Sequence, residues 1–228
     1  VGFDKNPFSF LFSDVIKHVV NTGDHGLHET ERNHLLIRSF TDEKAARPRL
    51  YFSDMDVQAI SSWTNRKFIC IAPASVWFTK MFPAEQWKDF INSVPENISV
   101  YLLGAAGDIA LCNNILLGIQ HPSIHSFAGK LSFLESAALM HSAVMNFVND
   151  SAPMHFASAV NASVAAIYCS TIPAFGFGPL SDTSHTIGVL QPLSCRPCGL
   201  HGKNACPQAH FHCAKWITTQ QLLAVLPQ

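Results

Sequence analysis

Three short stretches of this chain carry side chains suited to holding a phosphate ester: Ser75, Thr79 and Lys80; Gly104 to Asp108; and Asp150, Ser151, Ala152 and His155. Lys80 offers a compact cation, and Ser75 and Thr79 offer hydroxyl donors. The turn Gly104–Ala105–Ala106–Gly107 lets backbone approach a ligand closely, and Asp108 can accept from two ribose hydroxyls. Charge-assisted hydrogen bonds of this kind are worth about 1.5–3 kcal/mol each, so three or four give useful affinity after the entropic cost of binding. In AVMNFVNDSAPMHFASAV (143–160) an apolar strand with Val144, Met145, Phe147 and Val148 runs into a helix that Asp150 or Ser151 can cap and whose first turn tolerates Pro153. Free amides at such a helix start favour phosphate by about 0.3–1 kcal/mol when exposed and up to about 2 when partly buried. The same letters also fit an ordinary strand-to-helix joint, with Asp150 a plain cap, His155 a packed ring, Lys80 a solvated cation and Asp108 a helix cap. The joint placement of all three stretches on one sheet edge favours the binding reading.

That placement depends on the elements between them. From about residue 67, short apolar runs alternate with helical patterns, which is the signature of βαβ units and a parallel sheet. Strands are expected over 68–73, 98–103, 123–127, 144–149 and 164–169, with a last short one over 186–190. Helices are expected over 83–94 (Trp87, Phe90 and Ile91 inward), 108–119, 132–141 (Leu134, Ala138 and Leu139 inward) and beyond Thr218. A doubly wound sheet binds its ligand outside the carboxyl ends of its strands, so the loops after Pro73, Leu103 and Asn149 should converge. Residues 1–66 differ, with Phe-rich and His-rich patches, a helix-like segment over 29–40 and another over 54–63. They read as a connector and the margin of a second domain, against a single α/β domain over 67–228.

The 228 residues are 48% hydrophobic and 14% charged, enough for one large core or two modest ones. A formal charge of −1 without a basic block argues against a nucleic-acid track. No apolar run reaches the ~20 residues of a membrane span, and VGFDKNPFSF lacks the pattern of a secretory signal, so the cytoplasm is the expected compartment. The chain opens on Val1 rather than Met, which reads as a processed or partial chain. Cys70, Cys112 and Cys169 lie in apolar patterns, whereas Cys195, Cys198, Cys206 and Cys213 crowd with His201, His210 and His212 into one segment. A CxxC with two further cysteines can surround zinc, but the second spacing is six residues instead of two, so a redox pair, disulfides and free thiols stay open. His18, His25, His28 and His34 read as surface histidines at irregular spacing.

The segments APASVWFTKMFPAEQWKDFI, LLGAAGD, GKLSFLESAALMHSAVMNFVNDSAPMHFASAV and SVAAIYCSTIPAFGFGP together resemble the carboxyl-terminal domain of the family 9 glycosyltransferases, the lipopolysaccharide heptosyltransferases and their relatives. GFDKNP and GLHETERN resemble the end of that family's first domain and the bridge to its second, and CRPCGLHGKNACPQAHFHC a cysteine-bearing segment of some members. The resemblance implies a two-domain glycosyltransferase of the B architecture, here its Rossmann-like nucleotide-sugar half. Lys80 would contact the diphosphate, Asp108 the ribose, Asp150 and Ser151 the sugar or phosphate, and His155 would stand nearby. Ser151–Ala152 departs from the Thr-Gly of many members, and Asp108 from the Glu of some. The implied reaction is inverting transfer of heptose from ADP-heptose to a lipid-linked saccharide acceptor at the inner face of the cytoplasmic membrane. It needs no metal if Lys80 and the helix amides stabilise the leaving diphosphate, and its general base would be an aspartate upstream of Val1.

Overall fold

The computed structural model describes residues 1–20, 26–42 and 44–227. Their contacts divide into two compact units, 1–48 with 172–178, and 49–171 with 179–228. The first unit holds a parallel pair, β1 (Gly2–Phe3) and β2 (Val15–Ile16), and a short helix α1 (Glu29–His34). The helix stops well before the expected residue 40 because the chain tightens into i→i+3 bonds, Leu36 N–H to Asn33 O and Ile37 N–H to His34 O. His28 is the N-cap of α1, its Nδ1 accepting from Thr30 N–H at 3.2 Å while Nε2 donates to Gly178 O at 3.1 Å. His18 and His34 bond Lys5 and the Thr41 hydroxyl, and His25 lies outside the described residues.

The second unit begins ahead of residue 66, because α2 (Asp54–Ile60), started by a Ser53–Asp56 capping box, packs within it. Strand and helix then alternate: β3 (Phe68–Ala72), α3 (Ala84–Ser93), β4 (Ser99–Leu102), α4 (Ile109–Leu116), β5 (Ile124–Ser126), α5 (Phe133–Ser142), β6 (Met145–Asn149), α6 (Ala152–Ala159), β7 (Val164–Tyr168) and β8 (Ser184–Gly188). The short helices α7 (His212–Lys215) and α8 (Thr219–Leu223) follow. The six strands form one all-parallel sheet in the order β5-β4-β3-β6-β7-β8. The last strand starts two residues earlier than expected, at Ser184.

The two-residue period of each strand sorts its side chains into two cores. Ile69, Ile71, Met145, Phe147, Ala165 and Ile167 meet Trp87, Phe90 and Ile91 of α3, Cys112 and Ile115 of α4, and Leu222 of α8. Phe68, Cys70, Ala72, Val148, Val164 and Ala166 meet Ile60 of α2, Ala137 to Met140 of α5, and Met154 and Ala157 of α6. Leu134, expected inside, is 37% exposed, because the buried stripe of α5 runs along Ala137, Ala138, Leu139 and Met140 instead. No helix among the described residues is long and apolar enough to cross a membrane.

Candidate functional site

The chain builds β3, β4 and β5 outward on one side of the sheet and then returns to place β6, β7 and β8 on the other, so the order reverses between β3 and β6. At such a reversal the loops leaving neighbouring strands diverge and open a crevice. A cavity of about 450 Å³ lies at these carboxyl ends, a volume usual for small-molecule sites. Ser75 and Val76 after β3, Gly104, Ala105 and Asp108 after β4, and Ser151, Ala152 and Pro153 after β6 line it. Leu103, Leu131, Phe133, Met140 and Phe156 add an apolar wall, with the Phe133 and Phe156 rings 5.6 Å apart, edge to face.

Gly104 lets Asp108 fold back over the turn, since a Cβ at Gly104 would lie 2.8 Å from Asp108 Cβ and 3.2 Å from its Oδ2. Asp108 Oδ2 accepts from Ala105 N–H at 2.8 Å, which ties the carboxylate to the turn at the cavity.

Lys80 and Asp150 meet across the reversal, with Nζ 2.7 Å from Oδ2 and the two side chains 15% and 7% exposed. Thr171, just beyond β7, donates its hydroxyl to the same Oδ2 at 2.6 Å. Burial and then Asp150 itself push the Tyr168 hydroxyl well above its usual range. Asp150 therefore does not cap α6. Ser151 occupies the N-cap position, but its hydroxyl turns back to Asn149 O at 3.4 Å, so side-chain capping, expected of either residue, is absent. Asn149, fully buried, accepts from Phe82 N–H at 3.0 Å and donates to Pro73 O at 2.7 Å, bracketing the turn that carries Lys80.

Of the expected residues, Ser75, Gly104, Asp108, Ser151 and Ala152 share the cavity wall. Lys80 and Asp150 pair beside it, Asp150 adjoining Ser151 in the chain, and His155 sits half-buried on α6 outside the lining. Thr79 departs from expectation: it is fully buried and its Oγ1 accepts from Ser170 Oγ and Lys203 N–H, so it serves the interior rather than the cavity wall. Sequence reasoning missed Thr171 and the apolar wall. The topology that singled out the other three turns also puts the turn after β7 on this edge, and that signal was sufficient to find Thr171.

The seven cysteines are free thiols, and among the described residues no group of three or more His, Cys, Asp or Glu is arranged to hold a metal ion. Cys195 Sγ lies 3.9 Å from His210 Nε2, and Cys198 Sγ donates to Cys195 O at 3.1 Å. Burial, followed by Cys198 and Cys206, raises the Cys213 thiol to about 11.

The fold is that of the doubly wound α/β proteins of Rossmann type, with the polar turns gathered at the switch point. The chain belongs to glycosyltransferase family 9, the heptosyltransferases, whose family model matches residues 2–206. It is 30% identical to lipopolysaccharide heptosyltransferase 3 of Escherichia coli over 114 residues, 50% of this chain and 29% of that relative. A family 9 glycosyl transferase from Veillonella parvula superposes with a TM-score of 0.75 at 16% identity, over 96% of this chain and 63% of the other. The E. coli ADP-heptose lipopolysaccharide heptosyltransferase II superposes with a TM-score of 0.65 at 22% identity, over 82% and 54%. These superpositions extend the likeness to the B architecture. The chain spans under a third of the length of that curated relative and little more than half of the heptosyltransferase II chain.

Proposed function

We propose that this chain supplies the nucleotide-sugar half of an inverting glycosyltransferase that moves heptose from ADP-heptose to a lipid-linked sugar of the lipopolysaccharide core. The observation that carries the reading is the meeting of the turns after β3, β4 and β6 at the switch point, with Lys80 and Asp150 paired across it. The apolar wall of Leu131, Phe133 and Phe156 suits a flat base, Asp108 a ribose hydroxyl, and the amides of Ser151 and Ala152 with Ser75 and Lys80 a diphosphate. On departure the diphosphate gathers negative charge, which Lys80 and the start of α6 stabilise without calling on a divalent cation. The names of the E. coli relative and of the fold neighbour support the donor and the class of acceptor. In this reading the general base and most of the acceptor site come from outside these 228 residues, and the whole enzyme works at the inner face of the cytoplasmic membrane without nucleic acid.

Calorimetric titration of the chain with ADP, UDP and GDP tests the donor half. ADP should bind best, and Lys80→Met should weaken it at least tenfold. Equal affinity of Lys80→Met and wild type for ADP removes Lys80 from the site. Release of ADP from ADP-heptose and an acceptor by the chain alone would refute the placement of the base.

A further inference from the structure

We propose that Thr79 and Arg196 are positioning residues through which the cysteine-bearing segment holds the Lys80–Asp150 pair in register for a diphosphate; the inference rests on the nucleotide reading above. Thr79 exchanges backbone and side-chain bonds with Lys203, a residue 124 positions away: Thr79 N–H donates to Lys203 O at 3.0 Å, and Lys203 N–H to Thr79 Oγ1 at 2.8 Å. On its other side Ser170 N–H reaches Thr79 O at 3.2 Å, and Ser170 Oγ reaches Thr79 Oγ1 at 3.0 Å. Ser170 O in turn accepts from Cys198 N–H at 3.0 Å. The residue directly before Lys80 is thus tied both to the end of β7 and to the cysteine-bearing segment.

Arg196 treats Asp150 the same way. Its guanidinium donates to Cys169 O at 2.7 Å, Tyr168 O at 3.1 Å and Thr171 O at 2.9 Å. The first two carbonyls belong to the last paired residue of β7 and the one after it, and a planar fork of donors satisfies such a cluster better than an ammonium. The third belongs to Thr171, whose hydroxyl holds Asp150. Gly202 closes the contact. Its φ of +83° and lack of Cβ let the segment lie against the turn, where a Cβ would stand 3.1 Å from Lys80 Cγ and 3.0 Å from Trp77 Cβ.

A residue that positions Lys80 should matter to phosphate and not to the nucleoside, which is a selectivity that loss of folding does not produce. The test uses the 228-residue chain as wild type, Thr79→Val, Thr79→Ser, Arg196→Met and Gly202→Ala. Affinities for ADP and adenosine are read by ligand-observed NMR, and amide exchange is followed in the peptides spanning 76–82 and 168–172. Thr79→Val and Arg196→Met are expected to speed exchange in both peptides and to weaken ADP about tenfold while adenosine stays within twofold. Thr79→Ser should restore ADP binding. Should Thr79→Val not fold, Arg196→Met and Gly202→Ala decide, each expected to show the same selective loss. Equal weakening of ADP and adenosine, or faster exchange with ADP affinity intact, overturns the proposal while leaving the nucleotide site standing. Wild type that binds adenosine but gains nothing from the diphosphate overturns both.

Discussion

Breaking the Lys80–Asp150 pair from either side should expose a strong coupling between the two residues. At 2.7 Å, and at the effective dielectric of about 20 that reproduces such pairs, the gross attraction is about 6 kcal/mol. Desolvation of two largely buried side chains offsets much of that, and truncating one partner leaves the other charge uncompensated. Lys80 keeps a 15% exposed edge through which water can reach it, so each single change is placed below the ~3–5 kcal/mol of fully buried pairs, at about 2–3. Asp150→Asn still offers Thr171 an acceptor, and Lys80→Met fills the space of the alkyl stem. The double variant buries no charge and should cost no more than either single, giving a coupling of about 2–3 kcal/mol. The four tryptophans, Trp63, Trp77, Trp87 and Trp216, all lie in the unit that contains the pair, so urea unfolding followed by tryptophan fluorescence reads that unit alone. Because the pair is buried, the coupling should persist in 0.5 M salt, roughly three times physiological ionic strength. Two singles whose costs simply add, or a coupling that vanishes in salt, would refute the assignment of a buried ion pair.

Burial holds His28 below 6.5, against the weaker raising effect of its bond to Gly178. The unfolded chain therefore takes up a proton first, so the stability His28 gives the α1 cap should be complete above about pH 6.5 and be lost as pH falls below it; amide protection over 26–34, relative to the intrinsic exchange rate at each pH, should fall between pH 7 and 5 in wild type and not in His28→Asn. Gly104→Val brings its side chain onto Asp108 and should lower ADP affinity several-fold with little change in melting temperature, a combination that calorimetry and thermal unfolding check together. Ser132 accepts from Glu135 N–H at 3.1 Å while Glu135 accepts from Ser132 N–H at 2.6 Å, so Ser132→Ala should destabilise the unit by about 1 kcal/mol in the same urea assay.

The sheet could be read from the letters because its inner strands are buried on both faces and β3 and β7 are continuously apolar, as FICIA and VAAIY show. The polar turns could be read for the same reason, since Lys80, Asp108 and Asp150 stand just past those runs and a parallel sheet sends all such ends to one edge. Less legible was the partner each side chain takes. Asp150 at a helix start suits a cap, and only the approach of Lys80 and Thr171 from other strands draws it away. Thr79 looks like one more hydroxyl beside a lysine, and nothing near it in sequence points to Lys203 or Ser170. The stop of α1 at His34 was hidden because Leu35, Leu36 and Ile37 continue an apolar pattern that i→i+3 bonding also accommodates.

Charge at the switch point calls for an explanation beyond folding. Asn149 shows that a neutral amide is enough to stitch these turns together, for with Phe82 and Pro73 it already fixes both ends of the stretch carrying Lys80. A buried ion pair adds little over apolar residues of like volume and is costly once broken, so stability alone would not favour placing one there. On the nucleotide reading, what the pair adds is an ammonium held at a known place before the ligand arrives. Asp150 accepts one of its three donors and leaves the others to point elsewhere. Such preorganisation removes the rotamer cost of fixing a lysine on binding, and lysine has one of the largest such costs of any side chain. On the nucleotide reading, the carboxylate beside the diphosphate is therefore a holder of the cation rather than a base, and Asp150→Glu, which lengthens the holder by one methylene, should weaken ADP more than it weakens the fold.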